Sequence, residues 1–432
     1  VKALLREAVA VAVVAGLVFQ TLRHEVAERY IVPSGSMQPT LYGKPQGGDI
    51  VLVDRLAHAD TLRRYDLGVF APANQGEHFV KRVVSLGDEW IELRDGDLFV
   101  GPAEQRLVRD VKDPLDARDL RVPWFRWPSA QSAVSVEPDA DLDHALSPIR
   151  TGHGPALPPF AAAEEAMALC TEEERRRFGE LDPAQRLSAH RWLASLRPVD
   201  AAYIDTRGHR SADGRDVVIG DFGIDLRFPV ASVRELLLRL DVRPDAWLLR
   251  WDLRSGALTL SRNGGPLEPA APVGGAEEQR ARIVGTPANG AVRVEFGRLD
   301  GRLFFCVDGR RETLWTCELR PEWMRADPGP SAWMLPSNGL SLAVVGDVPV
   351  PVQSLEIFRD IHWFRPPLDV GAPNGLARSD ARHVPAGFVY LLGDNSVDSR
   401  DSRMFGPVPL ASFVGRPTWA LGPWPYTRKL HR

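Results

Sequence analysis

The sequence predicts a mainly β protein: a β-rich core behind one N-terminal transmembrane helix, with an inserted β-sandwich and a short helical segment. Three observations lead there. Strand-length runs that alternate apolar and polar residues recur between Gly48 and Val100, and again from about 203 to 364. Glycine (37) and proline (36) are plentiful, which suits many short elements joined by tight turns. A single long apolar run opens the chain.

The 432 residues are enough for two or three domains. We divide them into an anchor (1–22), a core made of 23–110 together with 366–432, a connector with two or so helices (111–200), and an inserted sandwich (201–365). A net charge of −4 argues against a nucleic-acid partner.

The anchor is "ALLREAVAVAVVAGLVFQTL", Ala3 to Leu22. Its uninterrupted apolar centre, Ala8 to Phe19, has 12 residues. That spans roughly 18 Å, whereas the full stretch reaches the ~30 Å of a hydrocarbon layer. Arg6 and Glu7 lie near one end, where they can extend to the interface. The short centre also suits a cleaved leader, but the charged, bulky "QTLRHEVAERY" that follows offers no small-x-small cleavage site. Lys2 and Arg6 before the run are balanced by Arg23 and Arg29 after it, so charge does not set its orientation.

Past the anchor, "GDIVLVDR" and "HFVKRVVSL" alternate as strands, and "WIELRDGDLFV" reads as a hairpin turning at Asp95-Gly96. Residues 110–160, rich in Pro, Asp and Arg, read as a loop-dominated connector. Helices are expected between 160 and 197, where "TEEE" at Thr171–Glu174 forms a capping box and Asp182-Pro183 starts a second helix.

From about 203 the pattern is strands and tight turns, with Asn263-Gly264, Asp300-Gly301 and Asp308-Gly309 as turn dipeptides. Val292, Val294 and Phe296 alternate with Arg293 and Glu295. Regular spacing of this kind predicts a sandwich, and "VRVEFGRLDGRLFFCVDGR" is similar to the lectin/glucanase type. An unknown ligand of this sandwich and a purely structural insert are both open. Cys170, Cys306 and Cys317 show no zinc spacing, so no metal site is expected. A Cys306–Cys317 disulfide across a hairpin is open, with buried free thiols the plainer expectation.

Five lysines stand against 48 arginines. Arginine keeps its proton in a protein whereas a buried lysine can lose it, so Lys81 inside the apolar strand "HFVKRVV" is conspicuous. A serine hydroxyl needs a neighbouring base to act as a nucleophile. No Gly-x-Ser-x-Gly elbow and no triad pattern accompany the ten histidines. Burial can lower a lysine's pKa by ~3–5 units and make it that base. Alone, Ser36 in "VPSGSMQPTL" reads as a turn serine and Lys81 as a solvated edge-strand charge.

Four stretches together change that. "VPSGSMQPTL", "GDIVLVDR", "FVKRVVSLGDE" and "GDNSVDSRDSRMFGPVP" occur in this order behind an apolar N-terminus. They resemble the sequence boxes of bacterial type I signal peptidase (leader peptidase), a Ser/Lys-dyad membrane protease, over roughly 1–100 and 366–432. The resemblance implies Ser36 as nucleophile and Lys81 as general base. It implies an oxyanion hole from the Ser34 hydroxyl and the Ser36 backbone N–H, donors worth ~3–4 kcal/mol each in the transition state. Gly35 would allow close approach of substrate, Ser399 would orient the lysine ammonium, and Asp401, Arg403 and Asp394 would support the site. Pro33 and Pro39 would stiffen the nucleophile loop.

Val32, Pro33, Met37, Leu41, Phe79 and Val80 fall on positions that in this family form walls admitting only small side chains at −1 and −3. The expected substrates are therefore secretory preproteins with Ala-x-Ala-like sites, cleaved at the lipid bilayer without a cofactor. The expected place is the cytoplasmic (inner) membrane, single-pass, with the catalytic part on the extracytoplasmic face.

Two departures stand out. "KRVVSLGDE" lacks the proline often found before Gly-Asp. The interval from Lys81 to Gly393, about 310 residues, far exceeds the family's usual insert, so the ends of the inserted part should lie near each other. Two alternatives are a soluble self-cleaving Ser/Lys peptidase and a membrane-tethered binding protein with an inactive protease scaffold.

Overall fold

The computed structural model describes residues 27–126, 133–134, 219–363 and 381–430, apart from 73–75, 95, 231–232, 243–244, 263–264, 267–289, 320–337, 347–349, 352 and 423–426. The anchor expected at 1–22, the helices expected between 160 and 197, and Cys170 lie outside the described residues. Among the described residues no helix is long and apolar enough to cross a membrane. These residues are mainly strand, and they fall into two units: one up to Asp110 and from Ile361 onward, the other between.

In the first unit seven strands precede residue 110: β1 (Ala27–Ile31), β2 (Ile50–Asp54), β3 (Leu67–Phe70), β4 (Phe79–Ser85), β5 (Glu89–Arg94), β6 (Asp97–Gly101) and β7 (Val108–Arg109). The returning chain completes their sheets. Strand Phe413–Leu421 lies between β2 and β3, and strand Phe388–Leu392 pairs with the other edge of β4. The result is one eight-stranded sheet built from both ends of the sequence. β5, β6, β7 and Arg382–Val384 form a separate four-stranded sheet.

The alternation read from the sequence accounts for β2, whose Val51 and Val53 face the core while Ile50, Leu52 and Asp54 are half-buried. The expected hairpin at 95–96 joins β5 to β6, with Arg94 opposite Asp97 and Gly96 at φ +87°, a left-handed conformation that suits glycine. Two apolar clusters hold this unit. One gathers Val32, Met37 and Leu41 with Val51, Val53 and Val69, and the other gathers Phe70, Val83, Val389 and Leu391.

The second unit has a six-stranded and a five-stranded antiparallel sheet whose inner faces share one apolar cluster, which is a sandwich arrangement. Phe222, Ile224, Val294 and Phe305 from the first sheet meet Leu236, Leu238 and Trp247 from the second in that cluster. The strand Val122–Arg126, inside the stretch expected to be loop connector, is an edge of the six-stranded sheet and among the described residues pairs only with Ser354–Arg359. Its Pro123 disguised it in the sequence, yet proline is tolerated on an edge, where no second ladder needs its N–H.

The alternation around Val292–Phe296 is observed, with one difference. Glu295 is fully buried and bound by Arg118 (2.9 Å), Arg121 (3.2 Å) and Arg293 (2.9 Å), so arginines rather than water cover that face. Cys306 and Cys317 are free and buried. Cys317 pairs in register with Leu303, and its side chain joins the inner cluster while that of Cys306 points to the opposite face, beside Thr313. A disulfide between them is excluded by that geometry.

Candidate active site

Ser36 sits in one 3-10 turn, Gly35–Met37, between β1 and β2. The sequence on either side fixes that turn. Gln38 N–H donates to Gly35 O at 2.9 Å and Leu41 N–H to Met37 O at 2.8 Å, while the fully buried Met37 and Leu41 side chains anchor the loop in the core. The Gln38–Pro39 peptide is cis. A polar serine is thereby held on a segment whose apolar neighbours leave it little freedom.

Lys81 is the third residue of β4 and faces Gly68 of β3 across the ladder. Its strand is buried along most of its length, so the side chain has little water to solvate an ammonium. Lys81 Nζ donates to Ser36 Oγ at 2.6 Å, with Lys81 3% and Ser36 8% exposed. Ser34 Oγ donates to the same Ser36 oxygen at 3.3 Å.

Burial pulls the Lys81 amine down to about 8, against the smaller opposing pulls of Asp401 and Asp394; Arg403 assists burial, and Asp398 opposes it. Among the described residues no carboxylate lies within ion-pair distance of Lys81. Lys112 differs, being equally buried yet paired with Asp300 (2.6 Å) and Asp360 (2.9 Å). The chain thus buries one lysine for ion pairing and another beside a hydroxyl.

The last sequence box closes around the serine. Asn395 N–H donates to Ser36 O at 3.1 Å and Asn395 Nδ2 to Gly35 O at 3.2 Å. Gly393 lies against the same loop: a Cβ there would stand 2.5 Å from Ser36 O and 2.1 Å from Ser399 Oγ. Gly393 N–H donates to Asp401 Oδ2 at 2.9 Å. Asp401 is fully buried, caps the one-turn helix Ser402–Phe405, and receives Arg403 at 2.8 Å through Nε and 2.6 Å through Nη2. Arg403 also bonds Ser396 Oγ. Asp401 is therefore neutralised by its own partner instead of fixing Lys81 as an ammonium.

Most residues singled out in the sequence are gathered here, with two qualifications. The Ser399 hydroxyl is buried but has no hydrogen-bond partner among the described residues, so the expected bond to Lys81 is not made in this conformation. The hydroxyl instead lies against Gly393. The six positions expected to line the substrate pocket divide by burial: Val32, Met37 and Leu41 are core residues, Phe79 and Val80 are half-buried, and Pro33 is exposed. Asp394, expected to support the site, is held by a residue the sequence reading passed over. Arg82 binds it with Nε–Oδ1 2.8 Å and Nη2–Oδ2 2.6 Å, and Thr40 also donates to it. Arg82 follows Lys81 directly, and a charge on the second face of a strand expected to be buried was the available signal.

The arrangement brings together a serine hydroxyl, a buried lysine amine that burial lowers to about 8, and a second hydroxyl. The signal peptidase family, peptidase S26, matches residues 5–132 and 370–421. The chain is 39% identical to a signal peptidase I of Bacillus caldolyticus over 105 residues, covering 24% of this chain and 55% of that protein. It is 35% identical to a signal peptidase I of Aquifex aeolicus over 74 residues, 17% of this chain and 27% of the other. The chain thus spans about half the length of one of these relatives and about a quarter of the other. Among solved structures, the β-fructofuranosidase of Schwanniomyces occidentalis aligns with 33% of this chain and 28% of its own at 8% identity and a TM-score of 0.22, a likeness too slight to carry an argument. The ordered boxes and these partial matches together make the chain similar to the signal peptidase family, peptidase S26, over the residues matched.

Proposed function

We propose that this protein is a membrane-bound serine endopeptidase that removes N-terminal signal peptides from secretory preproteins by a Ser/Lys dyad. The observation that carries this is the 2.6 Å contact between a buried Lys81 amine and the Ser36 hydroxyl. The family relatives support the reaction class, and the local electrostatics support the protonation state.

In this reading the neutral Lys81 Nζ takes the Ser36 proton as Oγ attacks the scissile carbonyl carbon. The resulting oxyanion is held by the Ser36 N–H and the Ser34 hydroxyl. Collapse breaks the C–N bond, and the Lys81 ammonium returns the proton to the leaving amine. Lys81 then takes a proton from water, whose oxygen attacks the acyl ester, and returns it to Ser36 Oγ as the ester C–O bond breaks. Small residues at −1 and −3 fit walls contributed by Pro33, Phe79 and Val80 over the buried Val32, Met37 and Leu41. A single-pass anchor over 1–22 would hold the site at the outer surface of the cytoplasmic membrane, where preproteins present their cleavage sites.

The test is a membrane-reconstituted assay on an Ala-x-Ala precursor. The full chain should cleave it, and Ser36→Ala and Lys81→Ala should each lower the rate at least about 1,000-fold. Lys81→Arg should be as inactive as alanine, since a guanidinium stays protonated. Unchanged cleavage by Ser36→Ala or Lys81→Ala would overturn the mechanism.

A further inference from the structure

Trp363 lies just inside the point where the chain re-enters the first unit, two residues after Ile361, and it is 2% exposed. Its indole Nε1–H donates to Gly393 O at 3.2 Å, and its backbone N–H donates to Gly96 O at 3.2 Å. Its ring stacks on Tyr65, with centroids 6.2 Å apart and planes 2° from parallel.

Tyr65 has an unusual backbone, with φ +74° in a residue that carries a bulky side chain. Such strain persists where the surroundings over-determine it. Here Tyr65 O accepts Arg82 Nη1 at 2.6 Å, and the Tyr65 hydroxyl donates to Asp110 Oδ2 at 2.6 Å. Arg82 pairs with Asp394, the neighbour of Gly393. The contacts therefore close a ring: Trp363 to Tyr65, Tyr65 to Arg82, Arg82 to Asp394, and through Gly393 back to Trp363. One member is adjacent in sequence to Lys81, and another packs on the carbonyl of Ser36.

We propose that Trp363 is a positioning residue for the Ser36–Lys81 pair, acting through Gly393. It rests on the dyad reading set out above. A Gly393 carbonyl without its donor is free to tilt, and its peptide shares the Gly393 Cα, which lies against Ser36 O, with the preceding peptide, whose N–H is bonded to Asp401. The indole donor comes from the segment by which the chain returns to the first unit.

Two full-chain variants test this. Trp363→Phe removes the donor and trims the ring. Site-specific replacement of the Trp363 indole by benzothiophene puts sulfur in place of N–H and keeps the shape. On an Ala-x-Ala precursor, kcat should fall about tenfold in both, the worth of one directed hydrogen bond, with KM changed less than about twofold. A merely structural tryptophan would lower Tm and leave the kcat of the folded protein unchanged, and that result overturns the proposal. If Trp363→Phe does not fold, the benzothiophene variant decides alone. Absence of Ser36-dependent cleavage by the unsubstituted chain is a separate outcome: it overturns the dyad reading and this proposal with it.

Discussion

Asn395 N–H donates to the backbone carbonyl of Ser36 at 3.1 Å, joining two loops that lie far apart in the chain. Beside that bond the Gly393 Cα lies against Ser36 O, so the Gly35–Met37 turn and the last sequence box interlock through backbone atoms. Backbone contacts do not relax as side chains do. Small changes at this seam therefore act directly on the position of Ser36.

Gly393→Ala puts that to the test. Its Cβ would stand 2.5 Å from Ser36 O and 2.1 Å from Ser399 Oγ, so one of the two loops must shift. Displacement of a nucleophile by even about 1 Å costs on the order of 100-fold in rate. Steady-state kinetics should show that loss in kcat, with circular dichroism still reporting a folded β protein.

Activity should track the uncharged form of Lys81. With that amine lowered to about 8, chiefly by burial, kcat/KM should rise about tenfold per pH unit below 8 and flatten above it. Asp398 pulls the amine upward, and its side chain is exposed. Asp398→Asn should therefore move the midpoint to lower pH by a few tenths of a unit at most, since solvent screens an exposed charge. A pH–rate series on both proteins gives the direction.

The same amine weakens the fold near neutrality. The unfolded chain keeps the proton up to about 10.5 and the folded chain only to about 8, so below 8 the whole penalty is present, and stability rises as pH climbs between those values. Lys81→Met should abolish cleavage yet raise unfolding stability at pH 7 by on the order of 2 kcal/mol, net of the lost Ser36 contact. Urea titrations at pH 7 and pH 10 should show the gain shrinking at the higher pH.

Arg82 and Asp394 are 3% and 2% exposed and meet through two bonds. Arg82→Met would strand a buried carboxylate and should destabilise the protein by about 3–5 kcal/mol. Adding Asp394→Asn to that variant should recover part of the loss. A double-mutant cycle followed by thermal melts measures the coupling.

The local pattern revealed the serine loop, β2, β4 and the hairpin at 95–96, because alternation, turn dipeptides and a lysine among arginines are features of neighbouring residues. What it concealed depends on distant contacts. Arg82 has no local feature that sets it apart from the other arginines, and its partner Asp394 comes from the far end of the chain. Glu295 had the spacing of a solvent-facing position, and only Arg118, Arg121 and Arg293 make it an interior one. Trp363 carried no motif at all, since its meaning lies in which carbonyl its indole meets. The Ser399 hydroxyl shows the converse, a position fixed by the box but with a partner the sequence did not determine.

Asp110 and Trp363 both rest on the side chain of Tyr65. A residue at the point where the polypeptide leaves the first unit and one just past its return are therefore held by the same phenol. Both contacts are made by the first unit itself, so the length of chain between them can change without moving either.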